Sequence, residues 1–277
     1  MSQANPQAMS HPMSHRNYML LFIFLFAFML AWSVGLARPV LDFLDPATEY
    51  GGYIINKGIL AIVIAFALWR LKGFGAVGYG PRMGLSSSAA SFLIGLPLMA
   101  LGVASLMAPD RASLAPFELA GWVVAISLIA FTEETLFRGI LWKALEKASL
   151  WRRAITVSII FGLIHTIPAG FLGYGWGIAV VYGLSAASFG MVFAAMRERA
   201  GSIWTVVIAH VVFDIAAISA AGNVSSLLDP GMETYMKFLS AAVVFTAWGS
   251  AAIYLLIRRA RKLEAADIGA APAANAG

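Results

Sequence analysis

Eight apolar runs, each long enough to cross a hydrocarbon core, decide what this 277-residue chain can become. They lie at about Tyr18–Leu36, Tyr53–Trp69, Ala89–Met107, Pro116–Leu145, Arg153–Ile167, Gly175–Met196, Ser202–Ala221 and Tyr235–Ile257. A span of about 17–25 residues is what a bilayer core roughly 30 Å thick requires of a helix. The fourth run is too long for a simple crossing and is expected to project into water at one end. The expected fold is therefore all-α, a polytopic membrane protein of about eight transmembrane helices. Composition agrees: 60% of residues are hydrophobic and 12% charged, about half the charged share of a soluble domain, and mean hydropathy is +0.81.

The basic residues report which way the spans run. Arg16 precedes the first span, and Arg70, Lys72 and Arg82 fill the second loop. Lys143, Lys147, Arg152 and Arg153 fill the fourth loop, Arg197 and Arg199 the sixth, and Arg258, Arg259, Arg261 and Lys262 follow the eighth span. The odd-numbered loops hold mainly acids: Asp42, Asp45, Glu49, Asp110, Asp229 and Glu233, against Arg38, Arg111 and the bordering Lys237. Lys and Arg gather on the cytoplasmic side of membrane proteins, so both termini are expected there. The net charge of +5 thus reflects topology, and a nucleic-acid partner is not expected. The alternative of a cleaved signal over Tyr18–Leu36, with small residues at Gly35 and Ala37, conflicts with an apolar run longer than such signals use. Without cysteine, disulfide and thiolate chemistry are excluded. Residues 1–17 and the Ala/Gly-rich stretch 263–277 read as disordered tails, so His11 and His15 are set aside as ligands. Between them lie N-terminal helices (18–115), a core (116–221) and a last span (222–262).

FTEETLFRGIL, Phe131 to Leu141, places three ionisable groups inside the fourth span. Glu133, Glu134, Arg138 and Asp214, left unpaired, would together cost roughly 10 kcal/mol at about 2.5–3.5 kcal/mol each. That is comparable to the stability of a whole domain. Glu134 and Arg138 are four apart, on one helical face, with the acid first, and can neutralise one another. Glu133 points about 100° away. Its neighbour one turn on is Phe137, so it must find a partner on another span. SIIFGLIHTI offers His165 one turn after Phe161, and VVIAHVVFDI offers His210 and Asp214 four apart. A carboxylate and two imidazoles can share an activated water, with Glu133 as general base. Glu133, His165 and His210 are also a possible ligand set for a divalent metal such as zinc. Asp214 could donate to an oxyanion when protonated, or fix the tautomer of His210.

Depth counting sets Glu133 and His165 on the order of a dozen ångströms apart along the membrane normal, at about 1.5 Å per residue. The overlong fourth span must slide towards the cytoplasm to bring them together. Lys57, a turn into its span, reads as a snorkelling base, so conservative changes there are expected to be silent. GFGAVG at Gly73–Gly78 matches GxGxxG but follows a membrane span rather than a strand, so no nucleotide role is expected. Gly183, Ala186, Ala187, Gly190 and Ala194 read as a small-residue packing face. PAGFLGYGWG, Pro168–Gly177, is glycine-rich and follows His165; it reads as a connecting loop, with gating of substrate entry as the alternative.

EETLFR fits EExxxR, FGLIH fits FxxxH and HVVFD fits HxxxD/N, in that order and on separate spans. This resembles the CPBP family, the type II CAAX prenyl endopeptidases and their bacterial relatives, often called Abi proteins. The motifs cover about Pro116 to Ala221; each is weak alone, and the ordered set inside apolar helices is specific. The resemblance implies a helical bundle around a polar cavity and intramembrane peptide-bond hydrolysis, with a bacterial cytoplasmic membrane as location. Membrane lipid and a membrane-anchored or hydrophobic peptide would be the partners. By position, Glu133 would activate water held by His165 and His210. Glu134 and Arg138 would support them beside Phe161, and Asp214 stands where the eukaryotic enzymes have Asn.

Two other classes fit buried carboxylates and imidazoles. A proton- or ion-coupled transporter uses such relays, although no repeated motif links the halves of this chain. A non-catalytic peptide-binding immunity protein would keep the site as a relic. The orientation is tested by single cysteines in this cysteine-free chain. Ala148→Cys should react with a membrane-impermeant thiol reagent only from the cytoplasmic side, and Ser113→Cys only from the opposite side.

Overall fold

The computed structural model describes residues 13–80, 84–107, 112–229 and 231–269. Among them every regular element is helical. Eight helices are long and apolar enough to cross a membrane: α1 His15–Leu44, α2 Glu49–Arg70, α3 Leu85–Leu106, α4 Pro116–Ala144, α5 Leu150–Phe171, α6 Trp176–Ala200, α7 Trp204–Ala221 and α8 Met232–Ala265. They coincide with the eight runs expected from the sequence. His11, Arg82, Asp110, Arg111 and the chain beyond Gly269 lie outside the described residues.

Several boundaries differ from expectation, and the first helix runs on to Leu44, past the expected end at Leu36, so Arg38 and Asp42 lie on it rather than in a loop. The first helix begins at His15, where the Ser14 side chain caps Asn17 N–H at 3.2 Å, so its leading turn takes in residues assigned to a tail. The last helix continues to Gly269, past the expected tail boundary at 263. In the PAGFLGYGWG stretch the expected loop is mostly helix: α5 runs through Pro168 to Phe171, and α6 starts at Trp176. Other ends follow local chemistry. Thr48 caps Gly51 N–H at 3.2 Å, Glu118 reaches back to Ala115 N–H at 2.8 Å ahead of Pro116, and α6 stops at Gly201 in a left-handed conformation (φ 66°).

α6 is the central helix. It packs against α5, α8 and α3, and it is the most buried of the spans. Small residues allow this. A side-chain carbon on Gly162 would meet Gly183 O at 2.6 Å and Ala187 at 2.9 Å, one on Gly183 would collide with Thr166, and one on Gly190 would meet Ser158 at 3.0 Å. Gly183, Ala187 and Gly190 therefore form the close α5–α6 seam, as their spacing implied. α4 is flanked by α2 and α7 along its first half and by α1 along its last. Tyr18, Phe22, Leu25 and Met29 of α1 are buried in one core cluster with Leu136, Phe137 and Ile140 of α4. The outward faces carry large apolar side chains such as Phe24, Ile62, Phe66 and Leu93, suited to lipid contact. Ionisable side chains are thus left to gather where α2, α4, α5 and α7 meet.

Replacing Gly183 by leucine should destabilise the protein by about 1–3 kcal/mol, the usual cost of overpacking. Thermal unfolding of the purified protein would register this as a lowered Tm, and an unchanged Tm would contradict the seam.

Candidate active site

The fourth span is not a uniform helix. Pro116–Glu134 is α-helical, Thr135–Leu141 is wound as a π-helix, and α geometry resumes at Trp142. Such widened turns occur mostly as short bulges inside α-helices and are frequent at functional sites. Here the turn starts directly after Glu133 and Glu134. Thr135 Oγ1 donates to Phe131 O at 2.5 Å, which leaves the Tyr79 hydroxyl to donate to Thr135 at 2.6 Å. Burial pushes the Tyr79 phenol above its ordinary pKa, so it keeps the proton it donates. The π turn is thereby tied to the segment linking α2 and α3.

Glu134 and Arg138 pair as their spacing implied, with Nη1 3.2 Å from Oε1 and neither side chain exposed. The guanidinium lies 4.2 Å from the Phe161 ring centroid and 5.3 Å from that of Phe193. The aromatic faces offset part of the desolvation that a buried cation suffers. Glu134 Oε1 is also 2.8 Å from His210 Nδ1, and His210 Nε2 is 3.2 Å from Asp214 Oδ2. One imidazole thus stands between two carboxylates. It satisfies both as a donor only when protonated on both nitrogens, or when one carboxyl carries the shared proton. Phe193 stacks on the same ring at 5.4 Å.

Glu133 faces elsewhere, as the 100° turn required. Its Oε1 accepts from Lys57 Nζ at 3.3 Å, and its Oε2 lies 3.9 Å from His165 Nε2. The Lys57 side chain is 14% exposed, so it does not snorkel out of the bundle. That expectation is corrected: a cation a few ångströms from a buried carboxylate gains more by pairing than by stretching towards water. A lysine inside an apolar span is itself the signal that could have identified it. The depth requirement between Glu133 and His165 is met, since their side chains approach within that distance. His165 Nδ1 is 2.8 Å from Phe161 O. The Phe161 ring touches His165 at 4.6 Å and the His210 ring at 6.3 Å, standing between the two groups. Tyr182, which no motif singled out, stands edge-on to His165 at 5.3 Å.

Two clusters result, one of Lys57, Glu133 and His165, the other of Arg138, Glu134, His210 and Asp214. His210 hydrogen-bonds Glu134 rather than Glu133. With both its ring nitrogens facing carboxylates, it leaves no lone pair for a metal shared with His165. Among the described residues no three His, Asp or Glu groups are placed to hold one metal ion. The Glu133, His165 and His210 set, as placed, does not fit a zinc centre.

No curated protein matches the chain. Residues 115–216, which hold both carboxylates of α4, Arg138, both histidines and Asp214, match the family model described as type II CAAX prenyl endopeptidase Rce1-like. Over that stretch the chain is similar to the type II CAAX prenyl endopeptidases.

Proposed function

We propose that the chain hydrolyses a peptide bond in a membrane-anchored or hydrophobic substrate, within the cytoplasmic membrane of a bacterium, using Glu133 as general base. One observation carries this reading: Glu133 Oε2 is buried without a hydrogen-bond partner, 3.9 Å from His165 Nε2. That gap is too long for a direct hydrogen bond and wide enough for one water to reach both atoms. His165 Nδ1–H donates to the Phe161 carbonyl, so the Nε2 lone pair is the acceptor. A water donating to both Oε2 and Nε2 keeps its own lone pair for the scissile carbonyl carbon. As the C–O bond forms, the proton passes to Glu133. When the tetrahedral adduct collapses, Glu133 returns that proton to the departing amine nitrogen as the C–N bond breaks.

The other groups have supporting roles in this scheme. Lys57 engages Oε1, which leaves Oε2 as the basic oxygen and offsets the carboxylate's charge in a dry site. Glu134, Arg138 and Asp214 hold His210 in place, and His210 supplies positive charge near the developing oxyanion. Asp214 then acts through His210 rather than as the oxyanion donor itself. No step is routed through a metal.

The test is cleavage in proteoliposomes of a farnesylated peptide ending in Cys-aliphatic-aliphatic-X, alongside its unprenylated counterpart. Glu133→Gln should lower kcat by roughly 10²–10⁴-fold in protein that still purifies folded, as circular dichroism would check. Wild-type cleavage by that variant would end the proposal. Lys57→Met should lower kcat by roughly tenfold or more while KM stays the same, with Lys57→Arg recovering part of the loss. Exhaustive chelation should leave the rate unaltered, whereas loss on chelation with recovery on adding zinc would restore a metal-bound water.

A further inference from the structure

A second polar site lies away from the carboxylates, where the spans carry their excess of Lys and Arg. A cavity of about 450 Å³ opens between the glycine-rich 75–80 segment, the end of α4 at Trp142 and Lys143, the start of α5 at Arg153 and the end of α6 at Arg197. That volume falls in the range of small-molecule sites, about 300–1,000 Å³. Three bases line it against one acid, Glu146, and Lys143 holds that acid at 2.6 Å.

The wall is shaped around Arg197. Its Nε donates to Arg138 O at 3.0 Å and its Nη2 to Val77 O at 3.3 Å, and among the described residues no carboxylate lies within ion-pair distance. Gly78 has φ 106°, and a side-chain carbon there would stand 2.5 Å from Arg197 Nη2. The glycine that completes GFGAVG therefore makes room for a guanidinium. Arg153 lies over the Trp142 ring at 4.2 Å, pairs with Glu198 through Nη2 at 2.8 Å, and keeps a buried Nε without a partner. Arginine forks match phosphate geometry, and basic pockets at the ends of transmembrane helices hold anionic headgroups.

We propose that this cavity binds a phosphate-bearing anion, with Arg197, Arg153 and Lys143 as its cationic walls. The ligand is either the headgroup of an anionic lipid or a soluble phosphate ester. The site is separate from the proposed water-activating groups, and its test reads binding rather than cleavage.

The full-length protein in detergent would be titrated calorimetrically with dihexanoyl phosphatidylglycerol, dihexanoyl phosphatidylcholine and glycerol 3-phosphate. Saturable binding of phosphatidylglycerol alone identifies a lipid headgroup; equal binding of glycerol 3-phosphate identifies a soluble ester. Ala76→Glu, which sets an acid on the exposed rim, should weaken binding roughly tenfold, and Lys143→Gln roughly fivefold, with ligand-free Tm unchanged in both. Failure of both anions to bind, equal binding of phosphatidylcholine, or wild-type affinity in both variants would overturn the proposal.

Discussion

Arg138 carries a permanent charge into a space with no exposed surface, between the rings of Phe161 and Phe193. A cation there is tolerable only because Glu134 stands against it, and removing either partner would leave a bare charge in an apolar bundle. Much of the surrounding arrangement follows from that pair. Glu134 reaches on to His210, and through it to Asp214 on the next turn of α7. The main-chain carbonyl of Arg138 accepts from Arg197, so α6 is secured to the same short segment. Phe161 serves the guanidinium with its ring and His165 with its carbonyl.

The Glu134–Arg138 pair also frees Glu133. Adjacent carboxylates in so little solvent would repel one another, yet each has its own cation, Arg138 for one and Lys57 for the other. The first carboxylate is held through Oε1 by both Arg138 and His210. Each of the two keeps a buried Oε2 with no donor, but that of Glu133 faces a histidine nitrogen across a gap of 3.9 Å. Water is the smallest molecule that can bridge such a gap, and the proposed hydrolysis would consume it.

Much of this was legible in the residues. The eight spans follow from run length alone, because the bilayer imposes one length on every helix. Glu134–Arg138, His210–Asp214 and the α5–α6 seam follow from helical spacing, since each is a local or repeating relation. The rest depends on tertiary contact. Lys57 lies 76 positions from Glu133, and nothing in its own neighbourhood reports the carboxylate it meets. The contact between His210 and Glu134 rather than Glu133 depends on how α7 is rotated against α4, which spacing within either helix does not determine. Arg197 resembled a topology marker because a loop-edge arginine looks the same in sequence whether it faces water or the interior.

The widened coil at Thr135–Leu141 fixes a direction as well as a fold. Its i→i+5 bonding takes more residues per turn than an α-helix, so it sets the side on which Trp142 and Lys143 leave the helix relative to the two acids before it. One short segment thereby couples the aim of the buried carboxylates to a wall of the basic cavity.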